Sequence, residues 1–460
     1  MSFQMGATRG RVQVWLTDGY DSQKRLVQES DIRFRAGIGK RFKKIHVDAS
    51  VEYQEILGFG ASLTDSSAYL IHEVLNDDNY SQLMQNLFNQ TSGIGLSYIR
   101  LPMGSSDCAL TWYTYDDTAP DLADFSISHD ETYIIPLILD ALAINPDLKV
   151  MGSPFSAPGW MKVDNNLTDP TTKGLIGGRL NPSMYEIYAD YFVKFIQVYE
   201  SHDIDIDAVT LQNEPFHSPD DYPGMLMNVS EQIRFLNILG SAFSDNDIST
   251  KILILDHNWD LKDKVLSVLE NETVRKYVSG VAWHGYSTPE PEIQTEIHRQ
   301  YPEIDHYFTE VTGFNAAPYF HDNLAWLYEN IFVGTIENWA KTALLWNLAL
   351  DENGGPILRP YYDMRGVVTI NQSDPIPEYE VEYYALGQMS KFIVPRARRI
   401  KTNGFFTNLD FVAFINPDGS QVLVVSNPTS ENIDFSVRCN FDCFDYSLKP
   451  KSVVTFIWGM

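Results

Sequence analysis

From Leu57 to Trp346, short apolar β-runs alternate with longer segments of helical period, and no other feature of the chain restricts its fold as much. Eight such runs can be counted: Leu57 to Gly60, Leu96 to Arg100, Lys149 to Ser153, Ala208 to Gln212, Lys251 to Leu255, Gly280 to His284, His306 to Glu310 and Thr342 to Trp346. Strands joined by helix-length crossovers pair in parallel, and eight units close an α/β structure, the (β/α)8 TIM barrel. The intervening segments agree. Ser183 to Tyr199 sets Tyr188, Tyr191, Phe192, Phe195 and Val198 near one helical face, Ser230 reads as an N-cap hydroxyl, and Val381 to Phe392 reads as a last helix ended by Pro395.

Outside this stretch the alternation stops. Strand-like runs at Arg11 to Thr17 and Lys44 to Val47 precede it, and Phe411 to Ile415, Gln421 to Ser426, Ile433 to Arg438 and Ser452 to Trp458 follow it, with a turn at Asn416-Pro-Asp-Gly419. The later runs are too few for an independent sandwich, so the earlier strands are expected to complete it. The domains are therefore expected at 1–50 and 395–460 for an all-β sandwich built from both ends of the chain, and at 51–394 for the barrel.

Catalytic groups of such barrels sit at the C-terminal ends of the strands. Here those ends carry Asp65, Arg100, Asp107, Phe155, Trp160, Asn213, Glu214, Asp256, His257, His284, Tyr286, Glu310, Trp346 and Asn347. Glu214 and Glu310 follow strands four and seven, nearly opposite each other, so their carboxyls can flank one substrate bond. A separation of about 5–5.5 Å predicts a nucleophile and an acid/base, whereas about 6.5–9.5 Å leaves room for a water and predicts inversion. Arg100 is the group expected to keep Glu310 ionised, leaving Glu214 to hold a proton. His284 at a strand end reads as a positioning residue.

Charge removes some function classes. With Lys+Arg 34 against Asp+Glu 61, the 460 residues carry −27, which disfavours nucleic acid and anionic membranes as partners. The 25 Tyr, 25 Phe and 9 Trp suit stacking on sugar rings as well as packing. Cys108, Cys439 and Cys443 form neither a disulfide framework nor a zinc site. No run resembles a signal-peptide core, and none reaches the roughly 18 apolar residues of a membrane span. The chain reads as soluble, exported if a signal has been trimmed and cytoplasmic otherwise. Oligomeric state is left open. No cofactor or metal is assigned. A metal-dependent hydrolase using Asp256, His257, His284 and Glu310 is the rival enzyme reading, and a non-catalytic sugar-binding protein is the rival outside enzymes.

Several motifs, taken in order, resemble glycoside hydrolase family 30, which includes lysosomal glucosylceramidase and microbial endo-β-1,6-glucanases. They are Gly58-Phe-Gly-Ala-Ser-Leu-Thr-Asp65, Arg100-Leu-Pro-Met103, Tyr113-Thr-Tyr-Asp-Asp117, Ser153-Pro-Phe-Ser-Ala-Pro-Gly-Trp160, Gln212-Asn-Glu-Pro215, Asp256-His-Asn-Trp259, Ala282-Trp-His284, Thr309-Glu310 and Trp346-Asn-Leu-Ala-Leu350. The resemblance implies a retaining β-glycosidase with Glu214 as acid/base and Glu310 as nucleophile. It further implies Asn213 on the sugar 2-hydroxyl, Arg100 and Tyr286 near the nucleophile, Asp107 on the outer hydroxyls and Trp346 in the pocket wall. Phe155 stands where glucosylceramidases carry Trp, and His284-Gly285-Tyr286 departs from the family pattern at the position of Gly285. Asp256-His-Asn-Trp259, Asp221-Tyr-Pro-Gly-Met225 and Arg365-Gly-Val-Val-Thr369 look most like the β-1,6-glucanase branch, so a β-1,6-linked glucan is the expected substrate. Glucosylceramide, or exo-cleavage of a β-glucoside, xyloside or fucoside, is the alternative within the family.

Overall fold

The computed structural model describes residues 10–165, 169–359, 363–404 and 406–459. Eight parallel strands close a barrel: Gly58–Ser62, Tyr98–Pro102, Lys149–Ser153, Ile206–Thr210, Lys251–Asn258, Val278–His284, Asp305–Glu310 and Ala340–Leu345. They are called strands one to eight below. Each overlaps the run expected for it. Small and apolar side chains from every sector fill the barrel interior, namely Leu57, Tyr98, Met151, Ala208, Leu253, Ala282, Tyr307 and Leu344. The Tyr98 hydroxyl still needs an acceptor there, and it donates to Asp207 at 2.9 Å, which Lys149 and Lys251 neutralise at 2.7 and 2.8 Å.

The coating helices follow the apolar period with two local differences. A short turn at Pro182–Met184 precedes the helix Tyr185–Ser201, which buries Tyr188, Tyr191, Phe192, Phe195 and Tyr199, whereas Val198, at the edge of that stripe, is only half-buried. The helix Val229–Asp245 is capped by Asn228, not Ser230. The Asn228 side chain accepts from the Glu231 N–H at 3.1 Å, and Glu231 accepts from the Asn228 N–H at 2.7 Å, a reciprocal capping box.

Strands from both ends of the chain share one ten-stranded sheet. Arg11–Thr17 lies antiparallel to Ser452–Trp458, pairing Gln13 with Ile457 and Thr17 with Val453. Its core is separate from the barrel's and contains Val12, Val14, Ile45, Val47, Phe435, Phe444, Phe456 and Trp458. The sandwich strand Lys43–Glu55 runs almost into strand one. The helix Val381–Ser390 joins the two units: Gln388 donates to Thr17 at 2.9 Å and accepts from Thr455 at 2.6 Å. Among the described residues, no helix is long and apolar enough to cross a membrane.

Candidate active site

A cavity of about 790 Å³ opens over the C-terminal ends of the strands. Of the residues singled out in the sequence, Asp107, Phe155, Asn213, Glu214, His257, Tyr286, Glu310 and Trp346 line it. Arg100 and His284 lie beneath, both fully buried. Trp160 is not in the lining; its indole N–H donates to the Asp116 carbonyl at 3.0 Å. Asp65 also lies apart, accepting from the Leu110 N–H at 2.8 Å and paired with His129 at 2.8 Å.

The backbone bends sharply where it delivers the acids. Glu214 has φ 45°, Leu255 72°, Asp256 52° and Asn347 61°, all left-handed conformations of non-glycine residues. Such residues cost on the order of 1–3 kcal/mol each and persist where surrounding contacts enforce them. For Glu214 those contacts are its own N–H to the Asp256 carbonyl at 3.0 Å and the neighbouring Asn213 N–H to the Pro154 carbonyl at 2.8 Å. In strand five the register against strand six shifts between Leu255 and His257, a bulge that turns Asp256 toward the barrel axis.

Arg100 organises the floor. Its guanidinium donates to Glu310 at 2.5 Å, Asn213 at 2.7 Å, Asp256 at 2.9 Å and Ser153 at 3.1 Å. Glu310 accepts a second bond from the Tyr286 hydroxyl at 2.9 Å. His284 bridges two acids, with Nδ1 3.1 Å from Glu214 and Nε2 3.0 Å from Asp256, and Nδ1 also lies 3.8 Å from Glu310. The Phe155 and Trp346 rings are stacked at 5.5 Å and 26°, with the Arg100 guanidinium 5.9 and 5.4 Å from their centres, so Phe155 keeps an aromatic wall without an indole donor. Gly285 lines the cavity, and a Cβ there would press on Phe308 and Val311 at 3.1 and 3.2 Å.

Protonation follows from this packing. Burial would raise the Asp256 carboxyl, but Arg100 and His284 hold it well below its usual range. Burial alone would lower His284; the charges of Glu310 and Asp256 reverse this and push it up to about 10. Burial also works to raise Glu214, yet the hydrogen bond and charge of His284 bring it below its ordinary value. Glu310 is raised by burial, against the pull of His284 and Arg100. Burial and the Glu310 charge push Asp107 up to about 7. These directions reverse the expectation that Arg100 alone keeps Glu310 ionised and leaves the proton on Glu214: burial outweighs Arg100 at Glu310, and the His284 imidazolium, a second cation, acts on Glu214 directly.

Ligand atoms of Glu214, His284 and Glu310 lie within 4.8 Å of one another, a set able to hold a cation. It overlaps the rival metal set only at His284 and Glu310. The same geometry brings one oxygen of Glu214 within 4.8 Å of one oxygen of Glu310, a closer approach than the gap of about 6.5–9.5 Å between the carboxyls of inverting enzymes.

Further lining residues were not singled out as site residues in the sequence: His217, Tyr222, Asn258, Trp326 and Arg359. Arg359 stacks over Tyr222 at 4.6 Å and pairs with Asp221 at 3.1 Å. The Asp221-Tyr222 loop carries a recognisable motif, but only folding shows that it faces the acids. Trp326 belongs to the helix Phe320–Leu327 and carries no local signal that it reaches the cavity.

The chain matches the Glycosyl hydrolase family 30 TIM-barrel domain over residues 56–393 and the Glycosyl hydrolase family 30 beta sandwich domain over residues 397–456. It is 34% identical over 409 residues to endo-1,6-β-D-glucanase BGN16.3 of Trichoderma harzianum, covering 84% of this chain and 80% of that one. It is 29% identical to the lysosomal acid glucosylceramidase of Mus musculus, over 88% and 82% of the two chains. Among solved structures, the endo-β1,6-glucanase BT3312 superposes with a TM-score of 0.89 at 31% identity, over 98% of this chain and 100% of that one. The family model spans the barrel that carries this site, and the chain belongs to glycosyl hydrolase family 30.

Proposed function

We propose that the chain hydrolyses a β-1,6-linked glucan with retention of anomeric configuration, Glu310 serving as nucleophile and Glu214 as acid/base. The approach of the two carboxylates to within 4.8 Å carries this reading. At that spacing Glu310 can bond to C1 of a sugar while Glu214 faces the leaving oxygen, and a water arrives only after the aglycone departs. Arg100 and Tyr286 both donate to Glu310, which favours its carboxylate form and steadies the charge that returns when the glycosyl ester breaks. Asn213, fixed by Arg100, is placed for a hydroxyl of the same sugar, with Asp107, Phe155 and Trp346 around it. The β-1,6 linkage is supported by the similarity to proteins named for it, from Trichoderma harzianum and Aspergillus fumigatus and in the solved structure of BT3312.

A second reading rests on a different part of the cavity. Val311, Phe314, Ala317 and Leu327 make one side apolar, which suits the hydrocarbon of a glucosylceramide. One panel decides: β-1,6-glucan, glucosylceramide and aryl β-glucoside, xyloside, fucoside and galactoside, with the first-formed anomer read by NMR. Turnover of β-1,6-glucan to the β-anomer is expected. Preferential cleavage of glucosylceramide would replace the glucan reading, and an α-anomer product would overturn the retaining mechanism.

A further inference from the structure

We infer that His284 is a positioning residue that shares one proton with Glu214, so that the acid/base is a carboxyl–imidazole couple whose proton is released as Glu310 loses its charge. The inference rests on the two-carboxylate reading above. It begins with Asp256, which lies behind the ring without exposed surface. Its oxygens accept from Arg100 at 2.9 Å, Ser153 at 2.6 Å, Thr210 at 2.9 Å, Thr309 at 2.8 Å and His284 Nε2 at 3.0 Å. A carboxylate with five donor groups around it has no place for a proton of its own, so the hydrogen of the last contact belongs to Nε2.

That fixes the tautomer and leaves Nδ1 facing Glu214 at 3.1 Å. This contact requires one proton, carried either by Nδ1 with Glu214 ionised or by Glu214 with a lone pair on Nδ1. The ring has the same orientation in both cases. The couple therefore stores a transferable proton without rearrangement.

The groups facing the ring decide where that proton rests. Strand five presents Asp256 and the nearly parallel His257 ring at 6.2 Å, and strand four presents Glu214. Strand seven presents Glu310 at 3.8 Å, Tyr286 meets the ring edge at 6.0 Å, and Arg100 acts through Asp256. As a carboxylate, Glu310 favours the imidazolium; as a glycosyl ester it is neutral and that attraction ends.

In the first half-reaction a Glu310 oxygen bonds to C1, and the bond from C1 to the leaving oxygen breaks with its electron pair going to that oxygen. The couple's proton goes to the same oxygen, leaving Glu214 ionised beside a neutral ring with hydrogen on Nε2. In the second half-reaction a water oxygen bonds to C1, the ester electron pair returns to Glu310, and the water's proton refills the couple.

The test is the pH dependence of kcat/KM on aryl β-glucosides for wild type, His284→Gln and Asp256→Asn, with thermal melting as a check on folding. For His284→Gln, phenyl β-glucoside should lose about 100-fold or more and 2,4-dinitrophenyl β-glucoside less than about fivefold, since only the poor leaving group needs the proton. The alkaline limb should fall by about one pH unit or more, because Glu214 then holds the proton alone, and Asp256→Asn should move it the same way. An unmoved alkaline limb, or equal losses on both substrates, overturns the inference. If neither variant folds, wild type labelled with 15N-histidine decides. The ring should be doubly protonated in the free enzyme and singly protonated, on Nε2, once Glu310 is trapped as a 2-fluoroglucosyl ester; one unchanged state overturns it. A wild type that releases the inverted anomer fails the two-carboxylate reading first, and this inference with it.

Discussion

Tyr286→Phe removes one oxygen and with it the 2.9 Å hydrogen bond to Glu310. The ring remains, and because Tyr286 is 38% exposed the fold should be little affected. A hydrogen bond to a charged group contributes roughly 1.5–3 kcal/mol. That energy is present while Glu310 is a carboxylate, fades as the ester forms, and returns as the ester breaks. Glycosylation therefore gains little from it, whereas deglycosylation depends on it. At about 1.4 kcal/mol per tenfold, kcat on 2,4-dinitrophenyl β-glucoside should fall roughly 10- to 150-fold. The glycosyl-enzyme should then accumulate, visible as a burst of dinitrophenolate approaching one per active site. The same loss raises the pKa of Glu310, because a donor to its charged form is gone. Glu310 must be ionised to attack, so a higher pKa shifts the acid limb of kcat/KM to higher pH. No burst, with kcat within about threefold of wild type and an unmoved acid limb, would remove Tyr286 from the stabilisation of the Glu310 carboxylate.

Glu310→Gln should melt as the wild type does and show no turnover, while an activated 2-fluoro β-glucoside should label Glu310 in the wild type; peptide mapping that finds the label elsewhere removes Glu310 as nucleophile. Glu214→Ala should lose about 10²–10⁴-fold on glucan but far less on 2,4-dinitrophenyl glucoside, and equal losses would count against its acid role. Prolonged EDTA treatment should leave activity unchanged; loss restored by a divalent ion would favour the metal-dependent reading. Arg365→Met should lower stability by about 3–5 kcal/mol in urea unfolding, because it strands Glu382, whose partner lies 2.7 Å away with both side chains almost fully buried. It should also loosen the loop after strand seven, since Arg365 holds the Phe314 carbonyl at 2.6 Å.

Much of the barrel is legible because its strands are apolar runs buried on both faces, and the lengths between them leave little choice of topology. The sandwich is less so. Val27–Arg33 reads as a polar, charged stretch because it lies at one edge of the sheet with much of its surface in water. Asp442–Leu448 hides for a related reason: its partner on one side is only the two-residue strand Arg35–Ala36. In the site, Glu214 and Glu310 stand out because both follow apolar strands at one end of the barrel. Asp256 stands out equally, but its work with His284 does not, since the bulge after Leu255 that turns it inward depends on pairing with strand six. His217, Tyr222 and Trp326 come from loops and a helix whose direction only the folded chain decides.

The antiparallel pairing of Arg11–Thr17 with Ser452–Trp458 has a consequence for synthesis. On a ribosome the first of these strands emerges early and can form a hairpin with Val27–Arg33, but its other edge stays open until the last strand is made. Throughout that interval the side chains of Val12, Val14 and Leu16 lack the core that covers them in the finished molecule. The barrel, whose strands are all complete by Leu345, can close meanwhile. Stalled or shortened chains that stop before Ser452 should thus combine an assembled barrel with an unpaired, apolar edge, and self-association through that edge is their expected fate.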